Sequence, residues 1–250
     1  MAKNLTPAMQ KQEKKLKGGK KIRTGPWIDA WKRLLRNKAA MVSLGIIFIF
    51  VTLAIFPQYI AFQSYDEQNY GIAFTRPCKD YPLGTDQFGR DLLSRIIWGS
   101  RMSMFVGVTS IIFALVVGGI IGAIAGFYGG KIDDWLMRFM DILLAIPSML
   151  LAIAIAAALG GSLLNLMLAI SISSIPAYAR VVRGSVMTVK SQDFVEATRA
   201  VGASNARLIF RHMIPNALAP IIVQATLGIA SNIICACGLS YLGLGIQDRK

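Results

Sequence analysis

Long uncharged runs separated by short charged islands set the pattern of this chain. The uncharged runs cover residues 39–65, 102–130, 142–179 and 213–247. A helix needs about 20 apolar residues to cross a hydrocarbon core of roughly 30 Å. The first run therefore predicts a span over Ala39–Ile60 and the second one over Ser103–Phe127. The third is too long for one crossing and divides at Gly160-Gly161-Ser162. That division gives spans over Leu136–Leu159 and Leu163–Val182 with a tight turn between them. The fourth predicts a span over Leu218–Leu239. The fold class expected is all-α: a polytopic transmembrane bundle of five spans.

Between the fourth and fifth spans lies a polar island, DFVEATRAVGASNARLIFRHMIP, from Asp193 to Pro215. Its pattern predicts two short helices around a break. Phe194, Val195, Ala197, Thr198 and Val201 make an apolar stripe on the first helix. Gly202 stands where a left-handed C-cap costs least. Ser204 is placed to cap a second helix, which Pro215 stops. A DNA-binding helix-turn-helix has a similar outline, but membrane-grade flanks on both sides argue against it. Elsewhere, Leu92, Leu93, Ile96 and Ile97 share a helical face, Asp91 and Arg95 stand at i,i+4, and Trp98 suits an interface. They predict a short surface helix ahead of the second span. Gly118, Gly122 and Gly126 repeat every four residues, a face that lets a neighbouring helix come close. Pro147 and Pro176 interrupt the third and fourth spans.

Composition agrees with a membrane protein: 54% of residues are hydrophobic and 16% charged. The net charge of +14 is concentrated at the front. Twelve Lys and Arg stand against two acids in the first 38 residues, whereas Pro57–Arg101 holds five of each sign. That asymmetry predicts a cytoplasmic N-terminus and puts the 193–215 island in the cytoplasm. The Lys-rich residues 1–21 read as a disordered arm, and Trp27 and Trp31 as one face of an amphipathic surface helix. No cleavable signal peptide is evident. The three cysteines, Cys78, Cys235 and Cys237, form neither a disulfide framework nor a metal site. No P-loop, GxSxG or HExxH sequence occurs. No ionisable residue is expected at mid-span. No catalytic, metal or cofactor site is therefore expected, and any energy source must act through a partner. A membrane-anchored regulator would need fewer spans, and a secondary transporter would need ions at the midplane.

These residues carry a resemblance. Glu196-Ala197-Thr198, then Gly202, then Ile214-Pro215, resemble the cytoplasmic EAA loop of bacterial ABC-transporter permease subunits. The external PLGTDQFGRDLLSRIIWGSRMS resembles the "C"-type permease of the peptide and nickel branch. GGKIDDWLMRFMDILLAIPSMLLAI, RHMIPN and LSYLGLGIQ add to the likeness, which covers residues 22–247. Thr198 departs from the loop's second alanine, and His212 stands where the broad pattern has isoleucine.

The resemblance implies the permease subunit of an ATP-driven importer of dipeptides or oligopeptides, or alternatively of a nickel chelate. It implies a homologous permease partner, two cytosolic ATP-binding subunits, an external substrate-binding protein and a bacterial cytoplasmic membrane. Glu196, Ala197, Thr198, Arg199, Gly202, Ile214 and Pro215 would form the coupling loop to the ATPases, while the substrate pathway stays unassigned. The expected organisation is a basic arm and juxtamembrane helix at 1–38 and a first span at 39–61. An external loop with its interfacial helix follows at 62–101, then the permease core at 102–247 with the loop at 184–215. Similar permeases continue into a further span, which the final Asp248-Arg249-Lys250 does not resemble. The expectation there is a truncated or frame-shifted product.

Overall fold

Uncharged runs of Leu, Ile, Val, Ala and Gly satisfy their own backbone in hydrocarbon by forming helices. Every regular element among the described residues is helical. The computed structural model describes residues 31–32, 34–61 and 63–245. They fall into two units, divided between Thr52 and Leu53. Helix α1, Lys38–Ile55, starts where the Asn37 side chain accepts hydrogen bonds from the amides of Ala39 and Ala40. It stops earlier than the predicted Ile60, because Pro57 disfavours helical geometry at Phe56. Trp31 is exposed on a helical turn. Its expected companion Trp27, the arm 1–21 and the terminal residues 246–250 lie outside the described residues.

The second unit contains α2 (Leu92–Tyr128), α3 (Gly130–Leu144), α4 (Ser148–Leu159), α5 (Leu163–Lys190), α6 (Asp193–Ala200) and α7 (Leu218–Tyr241). Three apolar clusters stack along the bundle. At one end Val106 of α2 meets Ala152 and Ala156 of α4, Leu166 and Ile170 of α5, and Leu239 of α7. In the middle Ile111 and Ala114 meet Met140 of α3 and Ile175, Tyr178 and Ala179 of α5. At the other end Ala123 and Phe127 meet Val182, Val186 and Val189, together with Val195, Leu208, Met213 and Ile221. These levels make α2 and α5 parallel, and α7 antiparallel to both.

The predicted small-residue face seats α5 directly on α2. A methyl group on Gly118 would come 2.6 Å from the Ile175 carbonyl oxygen, and one on Gly126 2.8 Å from that of Arg183. At Gly122 it would collide with the Ala179 carbonyl and the Arg183 amide. The notch at Gly228 on α7 receives the Tyr178 hydroxyl end. Without a hydrophobic drive between helices in lipid, such backbone-to-backbone packing supplies much of the association.

Three features differ from the sequence expectation. The surface helix at 92–98 and the second span are one unbroken helix of 37 residues, about 55 Å long, nearly twice a hydrocarbon core. The third span is a pair, α3 and α4, bent by 84° at Ala145–Pro147. Among the described residues, four helices are long and apolar enough to cross a membrane, and the bent pair, taken as one span, makes a fifth. Pro147 makes that break, whereas Pro176 sits inside α5 without ending it. Asp141 and Arg180, at the two ends of one uncharged run, are also brought together beside the middle cluster, next to Met140 and Ala179. The run of uncharged sequence between them hid this, because the charges at its two ends fold back on each other.

Ahead of α2, residues 63–91 form a tight loop around two acids. Asp91 is the N-cap of α2: its carboxylate accepts from the amides of Leu93 and Ser94 and from the Ser94 hydroxyl. The expected Asp91–Arg95 pair is not formed, since capping uses the Asp91 carboxylate. Arg95 instead joins Arg90 on Asp86, at 2.6 and 2.8 Å. Burial alone would raise the Asp86 carboxyl pKa. The amides of Arg90 and Phe88 and the Arg90 guanidinium outweigh it and hold the group at about 2. A carboxyl depressed this way adds stability that is complete above its unfolded value near 4 and disappears as pH falls through about 2. Asp86→Asn should therefore be nicked by pepsin within 63–91 faster than the wild type at pH 4. That gap should close as pH approaches 2. A gap independent of pH would refute the assignment.

Candidate coupling loop

At the Ala123–Phe127 end of the bundle the loop 191–217 is latched to α2. Lys190 donates to the Phe127 carbonyl at 2.6 Å, satisfying one of the free carbonyls at the end of α2. Its ammonium also lies 5.9 Å from the Phe127 ring, and the Arg199 guanidinium reaches the same ring at 5.7 Å. Cations on the face of one aromatic ring are attracted by its quadrupole. Neither Lys190 nor Phe127 was singled out in the sequence. The fourth span was expected to end at Val182, short of Lys190, so nothing in the sequence signalled this contact.

Helix α6 carries Asp193 and Glu196 in its first turn and Arg199 in its last, the order that its dipole favours. It ends in the left-handed turn expected from Gly202, whose φ is +86°. The Gly202 amide bonds to the Arg199 carbonyl and the Ala203 amide to that of Thr198, a Schellman cap. Ser204 holds the N-cap position of the next segment, but its side chain makes no capping hydrogen bond.

Downstream, the segment does not stop at Pro215. Asn205–Arg207 leads into a π-helical turn at Leu208–Met213, then Ile214–Asn216, and only Ala217 separates this from α7. Proline has no amide for the carbonyl four residues back and crowds it. A wider turn just before Pro215 accommodates that conflict.

Burial divides the loop into an anchor and an offered surface. Val195, Leu208, Ile209 and Met213 are buried, and Phe194, Ala203 and Ile214 pack against them. Thr198 turns its hydroxyl to the Phe194 carbonyl at 2.6 Å. Glu196, Ala197 and Pro215 are exposed. Val201 is 88% exposed and Phe210 61%. The expected stripe is thus half correct. Phe194, Val195 and Thr198 face inward, while Ala197 and Val201 face out because the chain leaves the helix at the Gly202 turn. Gly118, Gly122 and Gly126 belong to the bundle interior, apart from this loop.

Among the described residues, no group of His, Cys, Asp or Glu side chains is placed to hold a metal ion. A helix keyed into a bundle by one face and presenting acid and small apolar residues on the other suits docking.

Residues 118–249 match the model of the binding-protein-dependent transport system inner membrane component. Residues 25–77 match that of the N-terminal transmembrane domain of oligopeptide transport permease C. The chain belongs to the binding-protein-dependent inner membrane permeases. The dipeptide transport system permease protein DppC of Alkalihalophilus pseudofirmus is 46% identical over 89% of this chain and 73% of its own length. The oligopeptide transport system permease protein OppC of Bacillus subtilis is 40% identical, covering 88% of this chain and 72% of its own. The glutathione transport system permease protein GsiD of Pectobacterium atrosepticum is 38% identical, with 91% and 76% covered. An inward-facing structure of the MetNI methionine ABC transporter superposes with a TM-score of 0.52 at 19% identity. That match takes in 58% of this chain and 73% of that one. This permease is thus a multi-pass membrane protein with an ABC-importer permease fold, and the resemblance read from its loops to ABC peptide permeases holds.

Proposed function

We propose that this permease subunit conducts dipeptides or oligopeptides inward across the bacterial cytoplasmic membrane, driven by ATP hydrolysis on separate subunits. In this reading it pairs with a homologous permease, two cytosolic ATP-binding subunits and an external substrate-binding protein. Its N-terminus and the loop 191–217 face the cytoplasm, which the basic residues before Ala39 support. The observation that carries the reading is the loop itself. Buried Val195, Leu208 and Met213 hold α6 rigidly on the bundle while Glu196, Ala197 and Val201 are offered outward. A helix fixed this way transmits a push from a bound ATPase into α2, α5 and α7. Dipeptide permease relatives covering most of the chain support the substrate class.

Glu196→Lys tests it. Loss of a partly buried interfacial charge contact is worth about 1–3 kcal/mol. Uptake of labelled dipeptide by the assembled transporter should fall about tenfold or more, with membrane levels unchanged. Wild-type uptake with Glu196→Lys would exclude docking through α6. Nickel uptake in place of peptide by the unmodified assembly would exclude the peptide assignment.

A further inference from the structure

We propose that the Asp141–Arg180 ion pair, with Asp134 and Arg138, lines the water-filled path of the transported solute and holds the charged termini of a passing zwitterionic peptide. The proposal rests on the peptide reading above. Asp134, Arg138, Asp141 and Ala145 recur at i, i+4, i+7 and i+11, so they share one stripe of α3. A cavity of about 490 Å³ opens along that stripe, lined by these four with Met137 and Ile142.

Depth makes the stripe unusual. Met140, beside Asp141, is buried against Ile111, Ala114, Ile175 and Tyr178, the middle level of the bundle. Arg180 lies about 15 Å along α5 from Lys190 and about 26 Å from Leu163. Its guanidinium meets Asp141 Oδ1 at 2.6 Å, yet both side chains are 58% exposed. Both residues fall within the predicted spans, and ionisable groups inside a span do not face hydrocarbon. The pair therefore faces water or another protein surface.

Water fits better than a sealed interface. The nearby Asp133–Arg183 pair shows what this bundle does with a static bridge: it is bidentate and the Asp133 side chain is only 10% exposed. Asp141–Arg180 is a single contact on an open face. The Arg138 side chain has no ion pair or hydrogen bond among the described residues, so the stripe offers a free cation beside a breakable pair. A zwitterionic peptide supplies the complement, its carboxylate to Arg138 or Arg180 and its ammonium to Asp134 or Asp141. Water penetration and exchange of partners let it leave again, as transport requires.

Two measurements on the assembled transporter with its partner subunits test this. In a background with Cys78→Ser, Cys235→Ala and Cys237→Ala, Ile142→Cys should react with a charged, membrane-impermeant methanethiosulfonate. Loaded binding protein plus ATP should slow that reaction. No reaction in any nucleotide state, in an assembly that takes up peptide, overturns the pathway. Asp141→Asn should lower dipeptide uptake about tenfold or more while loaded binding protein still stimulates ATP hydrolysis. Asp141→Glu should keep most of the uptake. The exchange Asp141→Arg with Arg180→Asp should not restore it, and full restoration would reduce the pair to a structural bridge. An unmodified assembly that moves no peptide at all refutes the peptide reading, whatever Ile142→Cys does.

Discussion

Gly122→Val is expected to push α2 and α5 apart and abolish uptake. A side chain at this position meets the Ala179 carbonyl and the Arg183 amide, which are backbone and cannot rotate away. Gly118 and Gly126, one turn to either side, are equally close to α5, so the helices cannot tilt to relieve the clash at one point. Overpacking of this kind costs about 3 kcal/mol, the upper end of the usual range. For a chain of this size, the unfolding midpoint of the purified protein should fall by roughly 6–12 °C. Gly119→Val is the control on the same helix, because no atom lies within 4 Å of the added carbon. Its effect should stay within about 1 kcal/mol, the scale of helix propensity. Equal losses from both substitutions would show that the three-glycine face is not the contact that matters.

That face was legible in the sequence because its spacing of four matches the helical repeat, and only a close partner makes such spacing useful. The left-handed turn at Gly202 was legible for a similar reason: one residue type fits there best. Local chemistry of this sort stays with the residues that carry it. What escaped were relations between distant stretches. Asp133 meets Arg183, Asp141 meets Arg180, and Lys190 closes the end of α2 across 63 residues of sequence. The unbroken α2 was missed for another reason. Polar and charged residues at its start suggest an interfacial piece, but Asp91 caps one helix that simply continues into the apolar run. Hydropathy reports where a helix enters lipid, not where it begins. The extra turns at Leu92 tie the loop 63–91 to the same rigid rod that carries Phe127 and meets Lys190 and Arg199 at its other end. A displacement at either end of α2 is therefore carried along about 55 Å of helix.

The second large effect is expected at the other anchor of that rod's end. Asp133, in the first turn of α3, accepts from Arg183 Nε on α5 and again from the second guanidinium nitrogen at 2.6 Å. The carboxylate also sits at the positive end of its own helix dipole. Arg183 belongs to the stretch of α5 that covers Gly122 and Gly126, so the pair fixes α3 onto the α2–α5 contact. Exposed pairs contribute about 0–1 kcal/mol, whereas breaking a buried one costs about 3–5 kcal/mol. With side chains 10% and 31% exposed, Asp133 and Arg183 lie between these limits. Asp133→Ala should cost about 2–3 kcal/mol, most of it from the guanidinium left without its partner. Arg183→Ala should cost less, because Asp133 keeps the dipole of α3. The double variant should then be less damaged than the sum of the two, by about 1–2 kcal/mol of coupling. Uptake should follow the stability of α3 rather than the proposed ATPase contact, since Glu196 and its surroundings are unchanged. Thermal unfolding of all four proteins in one detergent measures the cycle. Strict additivity would mean that Asp133 and Arg183 stabilise the bundle independently, and that α3 is held by the packing of Met137, Met140 and Leu143 alone.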